Sequence, residues 1–338
     1  MADDQDREFE IKLNLRETDF AHLLNYAGQT ELALCPVRND TLITLYCDTP
    51  DLALRRNGIT IRMRKSGHAN KPLIQTVKLQ TGVSLGISNP VEIEDKADSE
   101  DIEIERISDR QVRQRVEKII ADQQLSPMVI CNVDRASVSL SREGVVAELC
   151  LDRATVSAGS KSDTFLEAEL ELKSGLPENL LPLAEDVFSG VPLRFSNFSK
   201  AARGFALLDD DDFVDLAGPV KAGQPDLAGS MTLGEAFVEI CGSASKQILP
   251  NWLGLMEQDD PEYAHQFRIG TRRLRTALKM FRPYLDNANL RAMTGELRDI
   301  ARIVGDLRDA DVLYADIVLS ALRRSGRQAE NEELISIL

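Results

Sequence analysis

Short runs of alternating apolar and polar residues dominate the first two thirds of the chain. Gly, Pro, Asn and Asp, the usual turn residues, separate these runs. The clearest runs are EFEIKLNL at 8–15, GITIRMRK at 58–65, LIQTVKLQ at 73–80, PVEIED at 90–95 and FLEAELELK at 165–173. Alternation with period two is typical of a strand that packs one face against a core. Many such strands predict an antiparallel barrel or sandwich from residue 9 to about residue 208.

Helical patterns interrupt these strands at a few places and then replace them. Inside the strand-rich part, helices are expected at 17–27, 108–123 and 180–188. Residues 209–229 begin with four aspartates and have too little apolar content to pack, so they are predicted to be a linker. Beyond Met231 the apolar period becomes 3.6, which predicts amphipathic helices at 232–249, 261–284, 287–305 and 309–324. The predicted organisation is an α+β chain, with a strand-rich domain at 1–208, the linker, and a helical bundle domain at 230–338.

The bulk properties are those of an ordinary globular protein of the cell interior. With 338 residues, 43% of them hydrophobic, the chain can form two domains with separate cores. No apolar run reaches the roughly 18–20 residues that cross a bilayer, and the acidic N-terminus is unlike a secretory signal. The five cysteines contain no C-x-x-C pair, which favours reduced thiols and argues against a zinc site. We therefore expect a cytoplasmic protein without a membrane partner.

Charges of one sign collect on single strand faces of the front domain. Residues i, i+2 and i+4 of a strand share a face, so Glu8 and Glu10 lie beside Lys12. The same spacing groups Arg62 with Arg64, and Glu167, Glu169 and Glu171 with Lys173. The ordinary interpretation of one such strand is a half-solvated sheet with its charges outside. Solvated faces normally mix Lys with Glu, because neighbouring like charges repel, so the segregation favours faces that point inward at a ligand.

These faces carry groups that suit a metal ion and a phosphate chain. Mg²⁺ is held by converging carboxylates, keeps some of its waters and bridges to phosphate. Arg and Lys on facing strands would bind phosphate oxygens, Arg through its bidentate guanidinium. A barrel with both sets in its lumen would hold a polyphosphate and stabilise charge as the terminal phosphoryl group leaves.

An ordered series of motifs over residues 7–208 resembles the CYTH superfamily. The series begins with Glu8-x-Glu10-x-Lys12, which is similar to the family's E-x-E-x-K signature. The motifs that follow, in the expected order, lie at 46–50, 58–64, 76–78, Arg135, 148–152, 167–175 and 199–204. Each motif alone is weakly specific, whereas the complete series in register is strongly specific.

The resemblance implies an eight-stranded antiparallel β-barrel with flanking helices, a triphosphate tunnel that works with Mg²⁺ or Mn²⁺. Activities of the family include inorganic triphosphatase, thiamine triphosphatase, RNA triphosphatase and class IV adenylyl cyclase. By position, Glu8 and Glu10 would bind the metal with one or more of Glu167, Glu169 and Glu171, and Glu8, Glu10 and Lys12 would be the catalytic set. The implied phosphate-binding residues are Lys12, Arg62, Arg64, Lys78, Arg135, Lys200 and Arg203.

One position departs from the family pattern. Where the family usually has R-x-E-x-E, this chain has proline at position 90, followed by Glu92 and Glu94. The expected consequence is the loss of one phosphate contact. Two alternatives stay open: a shifted position of the substrate or a weaker activity. Glu92 and Glu94 are expected to position water or a second metal.

A second concentration of charge lies on the helix predicted at 261–284. At about 100° per residue, one arc collects His265, Arg268, Arg272, Arg275, Lys279 and Arg282. A charged run is usually a solvated face, but Arg neighbours at i,i+3 and i,i+4 destabilise a helix that lacks compensating acids. The stripe therefore favours an anionic partner. Since the helical domain has more acidic than basic residues overall, a compact linear polyanion fits better than nucleic acid.

Residues 265–275, HQFRIGTRRLR, resemble the histidine-containing signature of the CHAD domain, and 305–313, GDLRDADVL, match its second motif. The resemblance implies a helical bundle that binds inorganic polyphosphate. The implied binding residues are His265, Arg268, Arg272, Arg275, Lys279 and Arg308. CHAD domains normally contain two related helical halves, so residues 230–338 are expected to hold little more than the first half.

The leading hypothesis is a metal-dependent inorganic triphosphatase. Water would attack the terminal phosphorus of tripolyphosphate and release phosphate and pyrophosphate, while the CHAD part recruits polyphosphate. The CHAD neighbour favours this substrate over those of a thiamine triphosphatase or an adenylyl cyclase. A non-catalytic polyphosphate-binding protein is a second class, which Pro90 makes plausible, and a nucleic-acid-binding protein is a third.

Overall fold

The structure of the protein, a computed structural model, describes residues 8–68, 71–79, 83–84, 86–196, 198–208, 218–285 and 288–312, with the side chains of 83–84, 288–289 and 307–312 outside that description. The chain divides into two compact units, Met1–Asp215 and Leu216–Leu338. We call them the tunnel unit and the helical unit.

One antiparallel sheet is the frame of the tunnel unit. Its strands are β1 Glu10–Leu15, β2 Arg38–Asp48, β3 Ile59–Ser66, β4 Leu73–Leu79, β5 Val83–Ser84, β6 Ile87–Ser88, β7 Val91–Ala97, β8 Ser126–Arg142, β9 Val145–Ala158 and β10 Lys161–Ser174. Their hydrogen-bonded order is β5-β6-β1-β10-β9-β8-β2-β3-β4-β7. Neighbouring strands pair in antiparallel register throughout.

The two ends of this order meet, and the sheet curls around a lumen. β6 pairs with β1 and is followed after two residues by β7, which pairs with β4. The backbone N–H of Glu8 also donates to the carbonyl of Pro90 at 3.2 Å. Eight of the strands have six or more residues, and β5 and β6 are two-residue segments of the closing connection. The predicted fold class is confirmed, although the described residues contain ten strands rather than eight.

Helices cover the outer face of the sheet. Their bounds are α1 Glu17–Gln29, α2 Ala53–Arg56, α3 Arg110–Ile120, α4 Leu180–Val187 and α5 Lys200–Ala206. α1 and α4 bury the apolar face that includes Leu13 and Leu170, and α2 and α3 bury the face that includes Ile61 and Val77. Burial of one such side chain stabilises the fold by about 1.5–3 kcal/mol. These outer clusters therefore direct the charged faces of the strands inward.

α5 fills one end of the lumen instead of covering the outside. Ala201 and Phe205 pack in an apolar cluster with Val129 on the inner face of β8. A Cβ atom on Gly204 would lie 2.1 Å from the Val129 side chain, so this close approach requires glycine. Ser199 caps the helix by accepting a hydrogen bond from the backbone of its third residue. Neither α5 nor α2 is visible in the sequence pattern, because seven and four residues are too short for helical periodicity.

The described part of the helical unit contains α6 Leu233–Glu257, α7 Pro261–Leu285 and α8 Ala288–Val312. Their apolar stripes pack together around Ile248 and Phe267. The predicted break between 305 and 309 is wrong, because α8 continues through it to Val312. Gly305 lies inside this helix and allows Arg268 to approach closely, because a Cβ atom there would lie 3.4 Å from the Arg268 guanidinium. The predicted helix at 309–324 falls largely outside the described residues, and no described helix is both long and apolar enough to cross a bilayer.

Part of the segment predicted as a linker packs on α6 and α7. The Val220 backbone accepts from Asn251 Nδ2 at 2.8 Å and donates to Asn251 Oδ1 at 3.1 Å. Arg273 donates to the Gly223 carbonyl at 2.7 Å and to Gln247 Oε1 at 2.8 Å. Asn251 and Gln247 are buried, so the helical unit holds residues 220–223 through its interior.

Candidate functional site

The lumen of the tunnel unit contains a cavity of about 230 Å³ that charged side chains line. Its described lining includes seven carboxylates, from Glu8, Glu10, Glu92, Glu94, Glu148, Glu169 and Glu171. It also includes seven cations, from Lys12, Arg62, Arg64, Lys78, Arg135, Lys173 and Lys200. Tyr46 is the one aromatic residue of this lining. Residues that lie more than 190 positions apart in the sequence, such as Glu8 and Lys200, thus share one small space.

Three glutamates form a row across neighbouring strands on one wall of the lumen. The pairing register puts Glu10 opposite Glu171, and Glu171 opposite Glu148. Like charges in directly opposite positions destabilise a sheet, and a cation among them would relieve the repulsion. Burial and the charges of Glu8 and Glu10 raise the pKa of Glu171 to about 7, against the opposing effect of Lys173. We call Glu10, Glu171 and Glu148 the acidic row.

Lys200 lies at the centre of a buried cluster beside this row. Its ammonium nitrogen is 2.5 Å from Glu167, 2.8 Å from Glu169 and 2.9 Å from Asp152. Lys12 contacts Glu169 as well. Burial would raise the pKa of the Glu169 carboxyl, but the surrounding cations, Lys12 first, hold it well below its usual value. Glu169 is therefore ionised in the folded protein, and its charge is matched by neighbouring side chains.

Asp152, which is not part of the described cavity lining, pairs with two cations that are, Arg135 and Lys200. Its carboxylate accepts hydrogen bonds from Arg135 at 2.7 and 2.6 Å and also contacts Lys200. The residue is completely buried; burial acts to raise its pKa, but Arg135 and Lys200 outweigh that effect and lower it. Asp152 has no role among those predicted from the sequence. The strand period does place Asp152 on the same face of β9 as Glu148 and Cys150. It does not show which cations the carboxylate contacts.

On the wall formed by β3, β4 and β7, cations and carboxylates pair between strands. Glu92 lies 2.9 Å from the Arg62 guanidinium and 3.1 Å from the Lys78 ammonium. Lys78 also pairs with Glu8, across the line where the two ends of the sheet meet. Pro90 lines the cavity there without a charge. Glu92 therefore fixes two cations that sequence analysis assigned to phosphate binding.

Arg64 differs from the other cations of the lumen. Within the described ranges, no carboxylate forms an ion pair with it, and its buried Nε atom has no hydrogen-bond partner. Burial and the charges of Arg62 and Arg135 lower its pKa. A buried guanidinium without an anion is unfavourable, because desolvation of its charge is not offset. An anionic ligand in the cavity would therefore complete the environment of this cation.

The carboxylates of the lumen fit a hard divalent cation. In the part of the chain that the structure describes, one group of three carboxylates, Asp152, Glu167 and Glu169, has ligand atoms within 4.8 Å of one another. The Oε1 atom of Glu167 is buried and has no hydrogen-bond partner among the described residues. Of these three, Glu169 is the one in the described lining of the cavity, onto which the acidic row also opens. Oxygen donors gathered in this way are the ligands of Mg²⁺ and Mn²⁺.

Two residues assigned to this site by sequence do not line the cavity. Glu167 lies behind it and reaches it only through Lys200. Arg203 packs over the Phe165 ring at 4.2 Å and donates to Asn14 Oδ1 at 2.7 Å. Lys200 and Arg203 are three residues apart on α5, so spacing alone groups them, whereas tertiary packing separates them.

A basic groove lies between α7 and α8 of the helical unit. Its volume is about 680 Å³, and its described lining includes no acidic side chain. The lining cations are Arg272, Arg275, Lys279 and Arg282 from α7 and Arg291 from α8. The periodicity of α7 identifies the first four. Arg291 is missed because only the packing of α8 brings it to the groove.

The other residues of the implied polyphosphate set lie elsewhere. Arg268 packs beside Gly305, so the two CHAD-like motifs meet at that point. His265 is partly buried and is not part of the described groove lining. Arg308 lies among the side chains outside the description. Arg273, in the middle of the basic motif, holds the 220–223 segment instead of an external ligand.

Several solved structures are similar to part of this chain. The adenylyl cyclase candidate HpAC1 from Hippeastrum, described with a dominant triphosphatase activity, is 23% identical with a TM-score of 0.44, over 59% of this chain and 95% of that one. An adenylate cyclase candidate from Bacillus halodurans is 17% identical with a TM-score of 0.40, over 59% and 99%. The Mimivirus capping enzyme triphosphatase is 14% identical with a TM-score of 0.35, over 55% and 90%.

Family models match both units of the chain. The CYTH domain model matches residues 6–205, which is more than half of the chain, and the CHAD domain model matches residues 239–336. The resemblance predicted from the motifs is thereby confirmed for both domains. The protein belongs to the CYTH domain family and carries a CHAD domain after its CYTH domain.

Proposed function

We propose that this protein is a metal-dependent inorganic triphosphatase that hydrolyses tripolyphosphate to pyrophosphate and phosphate in the lumen. The observation that carries the proposal is the composition of the cavity, in which seven cations face seven carboxylates and Arg64 lacks a described anionic partner. The lumen by itself therefore has no excess of positive charge. A triphosphate brings several negative charges, so its binding requires additional cations, which Mg²⁺ or Mn²⁺ supplies.

Phosphate oxygens would be held by the cations that reach the cavity. They are Lys12, Arg62, Arg64, Lys78, Arg135 and Lys200. Glu92 fixes the positions of Arg62 and Lys78, and Asp152 fixes those of Arg135 and Lys200. Donors that are held before the substrate arrives need no reorganisation as charge develops, which is the largest electrostatic contribution to many enzymes.

Glu8, Glu10, Glu169 and Glu171 would hold the metal, which when bound withdraws charge from the phosphoryl oxygens and helps orient the reacting groups. Water would attack the terminal phosphorus while the bond to the bridging oxygen breaks. Lys200 and Arg135 would stabilise the charge that grows on the departing pyrophosphate. The tunnel wall would exclude bulk water, so these charge interactions act at low dielectric.

The lining favours an inorganic substrate over a nucleotide or thiamine triphosphate. A base or a thiazole ring would need an apolar or aromatic surface, and Tyr46 is the one aromatic residue in the described lining. Its ring is buried in the cluster with Val129 and Ala201, and so does not offer an open stacking face. A linear phosphate chain needs only the cations.

We further propose that the basic groove recruits inorganic polyphosphate. Five cations border it without an acidic residue in the described lining, and basic surfaces attract linear polyanions. The alternative of a different class is a polyphosphate-binding protein without catalysis, which the uncharged Pro90 position favours.

The test is metal-dependent phosphate release from tripolyphosphate, ATP and thiamine triphosphate. We expect tripolyphosphate to be the best substrate and Glu10→Ala to lose about 10²–10³-fold in kcat, as removal of one transition-state contact does. Asp134→Ala is the matched control, because this carboxylate lies exposed on the outer face of β8. ATP as the best substrate contradicts the proposal. Tight binding without turnover, unchanged in Glu10→Ala, supports the non-catalytic alternative instead.

A further inference from the structure

Lys173 lies near the end of β10, beside the acidic row, at a β-bulge. The pairing register of β10 with β9 shifts by one residue between Leu172 and Ser174, so Lys173 is the extra residue of its strand. A bulge interrupts the ladder and changes the direction in which a side chain points. The Lys173 ammonium lies 2.6 Å from Glu171 and 3.7 Å from Glu148. A cation of the chain itself therefore contacts two members of the acidic row.

The three carboxylates of the row differ in their counter-charges. Glu10 pairs with Lys12 at 2.9 Å, and Glu148 pairs with Arg38 at 2.8 Å as well as with Lys173. Among the described residues, Lys173 is the one cation that forms an ion pair with Glu171. Glu171 is the central carboxylate of the row, since it lies opposite both of the others. Lys173 thus neutralises the position at which the repulsion within the row is greatest.

Exposure separates Lys173 from the other lysines of the described lining. The side chains of Lys12 and Lys200 are 7% and 9% exposed, and each contacts more than one carboxylate. The side chain of Lys173 is 41% exposed. Removal of a lysine from buried carboxylates is costly, because it leaves desolvated charges unpaired. A partly exposed ammonium on a flexible stem can exchange its carboxylate for water at little cost, so Lys173 is the lysine that an incoming ion displaces most readily.

A divalent cation at the acidic row would use the oxygens that Lys173 contacts. An ammonium 2.6 Å from a Glu171 oxygen lies close to where a metal ion would lie, about 2.0–2.1 Å from such an oxygen for Mg²⁺. The two cations would also repel each other at this distance. Because the metal carries twice the charge, it is the stronger partner of the row, and the exposed ammonium can move into solvent.

We propose that Lys173 is an intramolecular competitor of the metal and sets the metal affinity of the tunnel. Its ammonium pairs with the acidic row in the metal-free protein, and it leaves the row when a divalent cation binds. Lys173 thereby stabilises the metal-free fold and raises the metal concentration that the site requires. This inference rests on the proposed function, since it requires a divalent cation at Glu171.

The experiment measures Mn²⁺ binding to the full chain without substrate, from the electron paramagnetic resonance signal of free Mn²⁺. It compares Lys173→Met with Lys161→Met, which removes the same charge from an exposed position at the other end of β10. We expect the Kd for Mn²⁺ to fall about 5- to 10-fold in Lys173→Met, the scale of a partly exposed ion pair that the metal no longer replaces. The Kd should stay unchanged in Lys161→Met and close to that of the wild type in Lys173→Arg, which keeps the charge.

Thermal unfolding gives a second readout that does not depend on activity. With a chelator present, the Tm of Lys173→Met should lie below that of the wild type, because Glu171 loses its counter-charge. The rise in Tm that Mn²⁺ produces should be larger in Lys173→Met than in the wild type, because the metal binds this variant more tightly.

The outcomes separate this inference from the proposal on which it rests. An equal or higher Kd for Mn²⁺ in Lys173→Met overturns the competition, and metal-dependent turnover by the wild type then leaves the triphosphatase intact. An unchanged Kd with a raised KM for tripolyphosphate also overturns it, in favour of a phosphate contact. If the wild type neither binds Mn²⁺ nor hydrolyses tripolyphosphate, the proposed function and the inference fail together.

Discussion

The tunnel and the basic groove use cations in opposite ways. In the lumen, each cation except Arg64 lies within ion-pair distance of a carboxylate, and the groups are largely buried. In the groove, cations from α7 and α8 border a larger space whose described lining contains no acid. The lumen is close to neutral before a ligand arrives, whereas the groove is strongly positive.

This difference separates orientation from attraction. Paired, buried charges are held in fixed positions and are little screened by salt, so the lumen can orient one substrate but needs a metal to accept its charge. Cations around a surface groove whose described lining contains no acid attract polyanions of many lengths without a metal, and salt weakens that attraction. The comparison predicts that the two sites respond differently to charge removal, pH and ionic strength.

Among the changes that test this comparison, the largest effect on ligand binding is expected at Arg64, the exception in the lumen. Arg64→Gln should weaken tripolyphosphate binding about 30- to 100-fold, as loss of a charged hydrogen bond to a buried anion does. Because Arg64 gives up no described ion pair, the ligand-free protein should be no less stable. KM reports the binding of tripolyphosphate, and thermal unfolding reports the stability of the ligand-free protein. The control is Lys65→Gln, because Lys65 is exposed and pairs with Glu100. A lower Tm with an unchanged KM contradicts the role of Arg64 as the anion contact.

The acidic row predicts a pH-dependent stability in the absence of metal. The pKa of Glu171 is raised from 4.5 to about 7, so between these values the folded state holds a proton that the unfolded state has lost. Stability therefore falls as pH rises from about 4.5 to about 7, by about 3 kcal/mol. Glu171→Gln imitates the protonated form, and with a chelator present it should be more stable than wild type by that amount at pH 8 and equal to it at pH 4.5.

Chemical denaturation across this pH range, with and without Mg²⁺, measures the effect of Glu171→Gln. Added Mg²⁺ should remove the advantage of the variant, because the metal stabilises the wild-type carboxylates. Equal stability of the two proteins at pH 8 in chelator would contradict the prediction that repulsion within the acidic row destabilises the metal-free protein.

The smallest effect is expected in the groove. Arg275→Gln combined with Lys279→Gln should weaken binding of long-chain polyphosphate about 10-fold near 0.15 M salt, and less at higher salt, because the groove keeps its other cations. Lys221→Gln combined with Lys246→Gln removes the same charge from exposed positions of the helical unit outside the groove. Tripolyphosphate hydrolysis should be unchanged in both double variants. Equal polyphosphate affinity in both would contradict a role for the groove.

The sequence predicts most of the frame and many of the charged groups of the candidate site. Period-two alternation locates the long strands. One face of each strand is apolar because it packs against a core, and the opposite face is polar or charged. Segregation of sign identifies the inward faces of β1, β3 and β10. Short pieces are missed for a physical reason. β5, β6 and α2 are too short to show a period of their own, and β6 depends on its pairing with the distant strand β1.

The pattern also misjudges residues whose roles depend on packing. Arg203 has the residue type and spacing of a phosphate ligand, yet Phe165 and Asn14 hold it away from the cavity. Asp152 is a plain member of an alternating strand until β8 and α5 bring Arg135 and Lys200 to it. Arg291 and Gly305 acquire their contacts only when α8 lies against α7.

By itself, the sequence determined which faces are charged and which are apolar, and the motifs determined the family. Side-chain direction follows from the backbone period, so this information is local. The tertiary structure decided which charges meet. Curling the sheet brought Glu8 to Lys78 and Glu10 to Glu171, left Arg64 without a described partner, and placed Lys200 of α5 among three carboxylates. Charge pairing depends on distances between strands far apart in the chain, and only the closed sheet sets those distances.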